Sequence, residues 1–200
     1  MDIKVLGHAT VMITNSKTIY TDPYKGDFSK KADIILVSHS HYDHLDIKRI
    51  NEIKTDNTKI FTTKEASSKI IGAISMNPGD KQVIGDITIK AVHAYNVDKF
   101  RSPGIPFHPK GFGIGFIITM EGKRVYFAGD TDFIPEMKTF ENIDYALLPI
   151  SGTYVMDIDE AIQAAKAINA NIVIPMHEFK ANKQDFASKA KEQGITVELS

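Results

Sequence analysis

Residues 39–44 read His-Ser-His-Tyr-Asp-His. Three of the chain's seven histidines and one carboxylate fall within six positions. Imidazole suits zinc and similar ions, and carboxylate suits harder ones. The run follows Ile34-Ile35-Leu36-Val37, a continuous apolar stretch of the kind found in strands buried on both faces. In extended backbone His39 and His41 project to one side, because the side-chain period is two. A turn would then bring Asp43 and His44 to face the same point. Four candidate ligands at the end of a buried strand point to a metal centre. A polar loop with unrelated histidines is the competing reading, and the concentration of imidazoles argues against it.

The wider composition narrows the chemistry. The 200-residue chain contains no cysteine, so disulfides and thiolate ligands are excluded and a metal must be held by imidazole and carboxylate. Apolar residues make up 42% and charged residues 24%, which is ordinary globular usage. The formal net charge of −1 lends no bulk electrostatic support to nucleic-acid or membrane binding. Residues 1–7 lack the basic region and apolar run of a signal peptide. No stretch approaches the roughly 20 apolar residues of a membrane helix. A cytoplasmic setting and a small-molecule partner are therefore expected, with homo-oligomerisation left open.

The H-x-H-x-D-H run resembles the signature of the metallo-β-lactamase superfamily, and other pieces match in order. Thr21-Asp22-Pro23 is similar to the motif whose Asp orients a metal-binding histidine. Gly129-Asp130-Thr131 is similar to the motif whose Asp bridges two metals. Pro175-Met176-His177 is similar to the motif that supplies a strand-end histidine. The small subgroup that includes ascorbate-6-phosphate lactonase is similar at Gly7-His8-Ala9-Thr10, Gly129–Asp132 and residues 149–157. The resemblance implies an α/β (α+β) fold, the four-layer αββα sandwich. It also implies two divalent metals, zinc first, with manganese or iron as alternatives. His39, His41, Asp130 and one further histidine would hold the first metal. Asp43, His44, His177 and the shared Asp130 would hold the second. Of the two histidines available between His44 and Asp130, His108 is favoured, because a loop residue is aimed more freely than His93 in a strand. Two ions about 3.5–4 Å apart hold a bridging hydroxide in such sites. Asp22 would fix a ligand histidine, and Asp43 or a metal-bound water would deliver the proton to the leaving group. His8 reads as a hydrogen-bonded structural histidine.

Residues 96–111 are the candidate substrate loop, with Lys99, Arg101 and Lys110 against the single acid Asp98. Tyr154 is a further candidate contact. If the loop binds substrate, an anionic one such as a phosphate ester is favoured. The first functional reading is thus a hydrolase of a phosphorylated small molecule or phosphodiester. A sugar-phosphate lactonase is the alternative. A non-enzymatic metal or nucleic-acid binding module is the third reading, and a complete dinuclear ligand set argues against it.

These residues need strands and turns to position them. Short strands are expected at 3–6, 11–14, 18–21, 33–38, 59–62 and 87–95. Further strands are expected at 112–120, 124–127, 145–149, 172–175 and 196–199. The pattern predicts helices at 47–54, from Thr63 as N-cap, across 158–168 and over 183–193 before Gly194. Glu121-Gly122 reads as a hairpin turn, and Asn77–Asp80 as a turn. One domain over 1–200, with sheets inside and helices outside, is the simplest arrangement.

Overall fold

A computed structural model describes residues 1–199. Its contacts divide the chain into two compact units, residues 1–77 and 78–199.

The first unit is built on a six-stranded sheet. Strands β1 (Asp2–Gly7), β2 (Thr10–Thr14) and β3 (Thr18–Thr21) form an antiparallel meander. β4 (Ile34–Leu36), β5 (Lys59–Thr62) and β6 (Ile74–Ser75) then add in parallel, in the order β1-β2-β3-β4-β5-β6. All three residues of β4 are buried, as a continuous Ile-Ile-Leu run demands. Helix α1 (Ile47–Ile53) is capped by Asp46, which accepts from the amides of Lys48 and Arg49. It buries Ile50 and Ile53 in one cluster with Ile35, Val37 and Ile60. Helix α2 (Lys64–Ser67) is capped by Thr63, as expected.

The second unit carries another six-stranded sheet, ordered β14-β13-β12-β11-β8-β7. β7 (Lys81–Ile84), β8 (Ile87–Ala94), β11 (Gly113–Met120) and β12 (Lys123–Phe127) pair antiparallel. β13 (Tyr145–Pro149) and β14 (Ile172–Met176) extend the sheet in parallel. The turn between β11 and β12 places Glu121 at φ 50° and Gly122 at φ 75°, the left-handed pair that a two-residue hairpin favours. A small ribbon, β9 (Phe100–Ser102) with β10 (Ile105–Pro106), lies within the 96–111 segment. A 3-10 turn occupies Pro135–Thr139. Helix α3 (Ile158–Ile168) opens on a complete capping box, Asp157 with Glu160, and buries its alanine and isoleucine face. Helix α4 is Lys183–Glu192.

The strand expected at 196–199 reduces to one bridge between Val173 and Val197. β6, β7 and the ribbon were not expected, and each offers little buried apolar surface. Among the described residues, no helix is long and apolar enough to cross a membrane.

Candidate metal centre

The His39–His44 run of the first unit follows the end of β4. Asp22 follows β3 at φ 38°, in left-handed backbone. Its amide donates to the Leu36 carbonyl at 2.8 Å, which locks it beside β4. Its Oδ1 accepts the Ser38 amide at 2.6 Å. Its Oδ2 accepts the Ser38 hydroxyl at 2.6 Å and faces His44 Nδ1 at 2.7 Å. Ser38 Oγ also meets His39 Nδ1 at 2.9 Å. Because the serine proton is directed to Asp22, the serine oxygen accepts from His39. One fully buried carboxylate therefore orients two imidazoles, His44 directly and His39 through Ser38.

The rest of the run gathers beside them. His39 Nε2 and His41 Nδ1 are 3.0 Å apart. Donor atoms of His8, Asp43 and His44 all lie within 4.8 Å of one another. His8 Nε2 meets Asp43 Oδ2 at 3.1 Å. Burial alone would raise the Asp43 pKa. The His8 hydrogen bond and the nearby charges of His44 and His8 outweigh it and hold that carboxyl at about 2.

The second unit brings three more candidates together. Asp130 lies three residues beyond β12, and His177 follows β14 directly at φ 49°. His108 ends the 96–108 excursion. Asp130 Oδ2 stands 3.2 Å from His108 Nε2 and 3.4 Å from His177 Nε2, and all three residues are buried. Thr131 and Asp132 are tied to the Tyr95 backbone, so the Asp130 turn is pinned to the end of β8. His93 sits inside β8, opposite Ile114, with its ring edge-on to Tyr95. The structure thus brings His108 to Asp130, and among the described residues His93 joins none of the candidate ligand groups.

The spacing of these donors suits a metal ion. Two donors about 2.0–2.1 Å from one tetrahedral ion stand roughly 3.3 Å apart. The observed separations of 3.0, 3.2 and 3.4 Å bracket that value. Nitrogen and carboxylate donors at such distances fit a divalent transition metal.

The candidate substrate residues divide into two kinds. Lys99 Nζ donates to Glu160 at 2.8 Å and to Asp98 at 2.6 Å. Burial opposes its charge, but the hydrogen bonds it donates to Asp98 and Glu160 raise its pKa above the ordinary lysine value. Lys110 pairs with Glu136 at 2.8 Å. Arg101 is exposed and donates to the Phe107 carbonyl at 3.1 Å, its guanidinium 6.0 Å from the Phe107 ring. Tyr154 packs edge-on against Phe107, with 4.9 Å between ring centres, and keeps 37% of its surface exposed. Ser38 and Asn96, which hold His39 and His108, carry no motif in the sequence. A lone serine or asparagine beside a ligand has no spacing to recognise.

The beta-lactamase superfamily domain matches residues 2–177. A UPF0173 metal-dependent hydrolase of Nanoarchaeum equitans is 34% identical, across 98% of this chain and 94% of the relative. A crystal structure of a protein from Parabacteroides distasonis, assigned to the metal-dependent hydrolases, is 34% identical with a TM-score of 0.91. That match covers 98% of this chain and 91% of the other. Igni18, a metallo hydrolase of the archaeon Ignicoccus hospitalis, is 25% identical with a TM-score of 0.81, covering 99% and 94% of the two chains.

Proposed function

The chain belongs to the beta-lactamase superfamily, among the UPF0173 metal-dependent hydrolases, and from that premise we propose that it cleaves an anionic phosphorylated small molecule or phosphodiester at a two-metal centre. The reading is carried by Asp130, a buried carboxylate with two histidine Nε2 atoms at 3.2 and 3.4 Å. In this proposal His39, His41, His108 and Asp130 serve one ion, and Asp43, His44, His177 and Asp130 serve the other. The order of the motifs along the chain supports that division. The imidazole-rich donor set favours zinc, ahead of manganese or iron. The lack of cysteine supports a cytoplasmic setting.

The chemistry supplied by bound metal in such a centre is a water-derived nucleophile at neutral pH and polarisation of the scissile bond. The chain's own residues do the rest. Asp22 holds His44 and, through Ser38, His39, with Nε2 of each as the ligand atom. Asp43, whose carboxyl is held below the usual carboxylate range, begins ionised and can accept a proton. Its Oδ2, steadied by His8, receives a proton and returns it to the leaving group. Arg101 meets the anion, because among the described residues its charge is paired with no carboxylate, whereas Lys99 and Lys110 are already matched by acids. Those two lysines act by shaping the loop. Tyr154 and Phe107 offer an apolar wall.

A substrate panel tests this reading, with an aryl phosphodiester set against a neutral lactone. The phosphodiester should be turned over, and Arg101→Ala should raise its KM roughly 10-fold, the size of one partly exposed charge-assisted contact. Preferential lactone hydrolysis, with phosphodiester KM indifferent to Arg101→Ala, would overturn the anionic assignment.

A further inference from the structure

We propose that Asn96 is the positioning residue for His108, fixing both the tautomer and the aim of that ligand through a clamp shared with Asp132. The proposal rests on reading His108 as a metal ligand.

Asn96 lies two residues beyond β8 and is buried. Its side-chain amide makes four contacts. Nδ2 donates to Asp132 Oδ1 at 2.8 Å and to the Tyr154 carbonyl at 2.9 Å. Oδ1 accepts the His108 backbone amide at 2.7 Å and faces His108 Nδ1 at 2.9 Å. The Tyr154 carbonyl can only accept, and the His108 amide can only donate. These two partners settle which end of the Asn96 amide is oxygen. His108 Nδ1 must then carry a proton, so in the neutral ring the lone pair falls on Nε2, the atom 3.2 Å from Asp130. A ligand histidine needs that tautomer, and Asn96 selects it.

Asn96 is itself firmly held. Its backbone amide donates to the His108 carbonyl at 2.8 Å, so backbone and side chain grip the same residue. Asp132 Oδ2 accepts the amides of Val97, Asp98 and Lys99 at 2.7, 3.0 and 3.3 Å. The fully buried Asp132 therefore organises the chain just after Asn96 while its other oxygen fixes the Asn96 amide. Asp130 and Asp132 leave one turn: one faces His108 directly, and the other aims it through Asn96.

The test is zinc titration of the metal-free protein, with apo stability measured in parallel. Asn96→Leu keeps the volume but removes every polar contact. Asn96→Asp keeps the oxygen that faces His108, loses the donors to Asp132 and Tyr154, and sets two carboxylates together. We expect Asn96→Leu to weaken one zinc equivalent about 10- to 100-fold. Asn96→Asp should hold zinc nearly as wild type even though it is the less stable protein. A role in folding alone predicts that affinity losses follow stability losses across both variants, and that result would overturn the proposal. So would wild-type zinc binding by Asn96→Leu. Should Asn96→Leu fail to fold, the same titration on Asn96→Ser, too short to reach the His108 ring, replaces it with the same expectation. His108→Ala separates the two levels: if it too leaves both equivalents unchanged, the ligand assignment fails, and otherwise only the role of Asn96 does.

Discussion

At the scale of single residues, Asp22 is the orienting carboxylate of the first unit. Its two oxygens receive the Ser38 amide, the Ser38 hydroxyl and His44 Nδ1, all within 2.7 Å. Asp22→Asn preserves shape but turns one acceptor into a donor, which faces either the Ser38 amide or His44 Nδ1–H. The expected outcome is a loss of about 10- to 100-fold in metal affinity, typical of removing a carboxylate behind a ligand histidine. Titration of the apo variant with zinc checks this, and unchanged affinity would count against the orienting role. The sequence revealed this site unevenly. The crowding of His39, His41, Asp43 and His44 was visible directly, because unlike side chains with one shared chemistry fell close together. Asp22, Asp130 and His177 were visible only through resemblance, since each stands alone along the chain. Ser38 and Asn96 were not visible, because their value lies in the direction of a single hydrogen bond.

At the scale of elements, β11 shows why a strand interrupted by glycine leads toward the site. A Cβ built on Gly115 would lie 2.9 Å from the carbonyl oxygens of both Phe127 and Ala128, and 3.2 Å from Val92 Cγ2. Those carbonyls belong to the end of β12 and the chain running on to Asp130. Backbone cannot yield as a flexible side chain would, so the neighbouring segment must move. Gly115→Ala should cost about 1–3 kcal/mol of stability, the usual range for overpacking. It should also weaken metal binding by displacing Asp130. Denaturant unfolding and metal titration of the variant measure the two effects, and wild-type values in both would show that the strands part without consequence. The apolar strands were legible as runs, as in Ile34–Leu36 and Tyr145–Pro149. The exposed edge Lys81–Ile84 and the ribbon of β9 and β10 were not, because an edge strand needs hydrogen bonds more than apolar side chains. The glycine in β11 was legible as punctuation, but its cause, close approach of a neighbouring backbone, appears only in three dimensions.

At the scale of the whole molecule, the proposed ligands divide between the two units. His39, His41, Asp43 and His44 precede residue 78, and His108, Asp130 and His177 follow it. On the two-metal reading, occupancy stabilises the folded chain, since an ion held only by folded protein shifts unfolding by mass action. At a free metal concentration 100 times Kd, that shift is about 2.7 kcal/mol for one site. For a chain of this length, each kcal/mol moves Tm by roughly 2–4 °C. Zinc added to the apo protein should therefore raise Tm by roughly 5–11 °C for the first site alone, and a chelator should reverse the rise. Elemental analysis of metal-replete protein should return close to two equivalents per chain. In Asp130→Ala, which removes the carboxylate assigned to both ions, the stoichiometry should fall and the thermal shift should shrink well below the wild-type value. A single equivalent in the wild type, or a Tm indifferent to chelation, would reject the dinuclear centre. Asp130→Ala that kept two metals and the full shift would reject Asp130 as the residue that joins them.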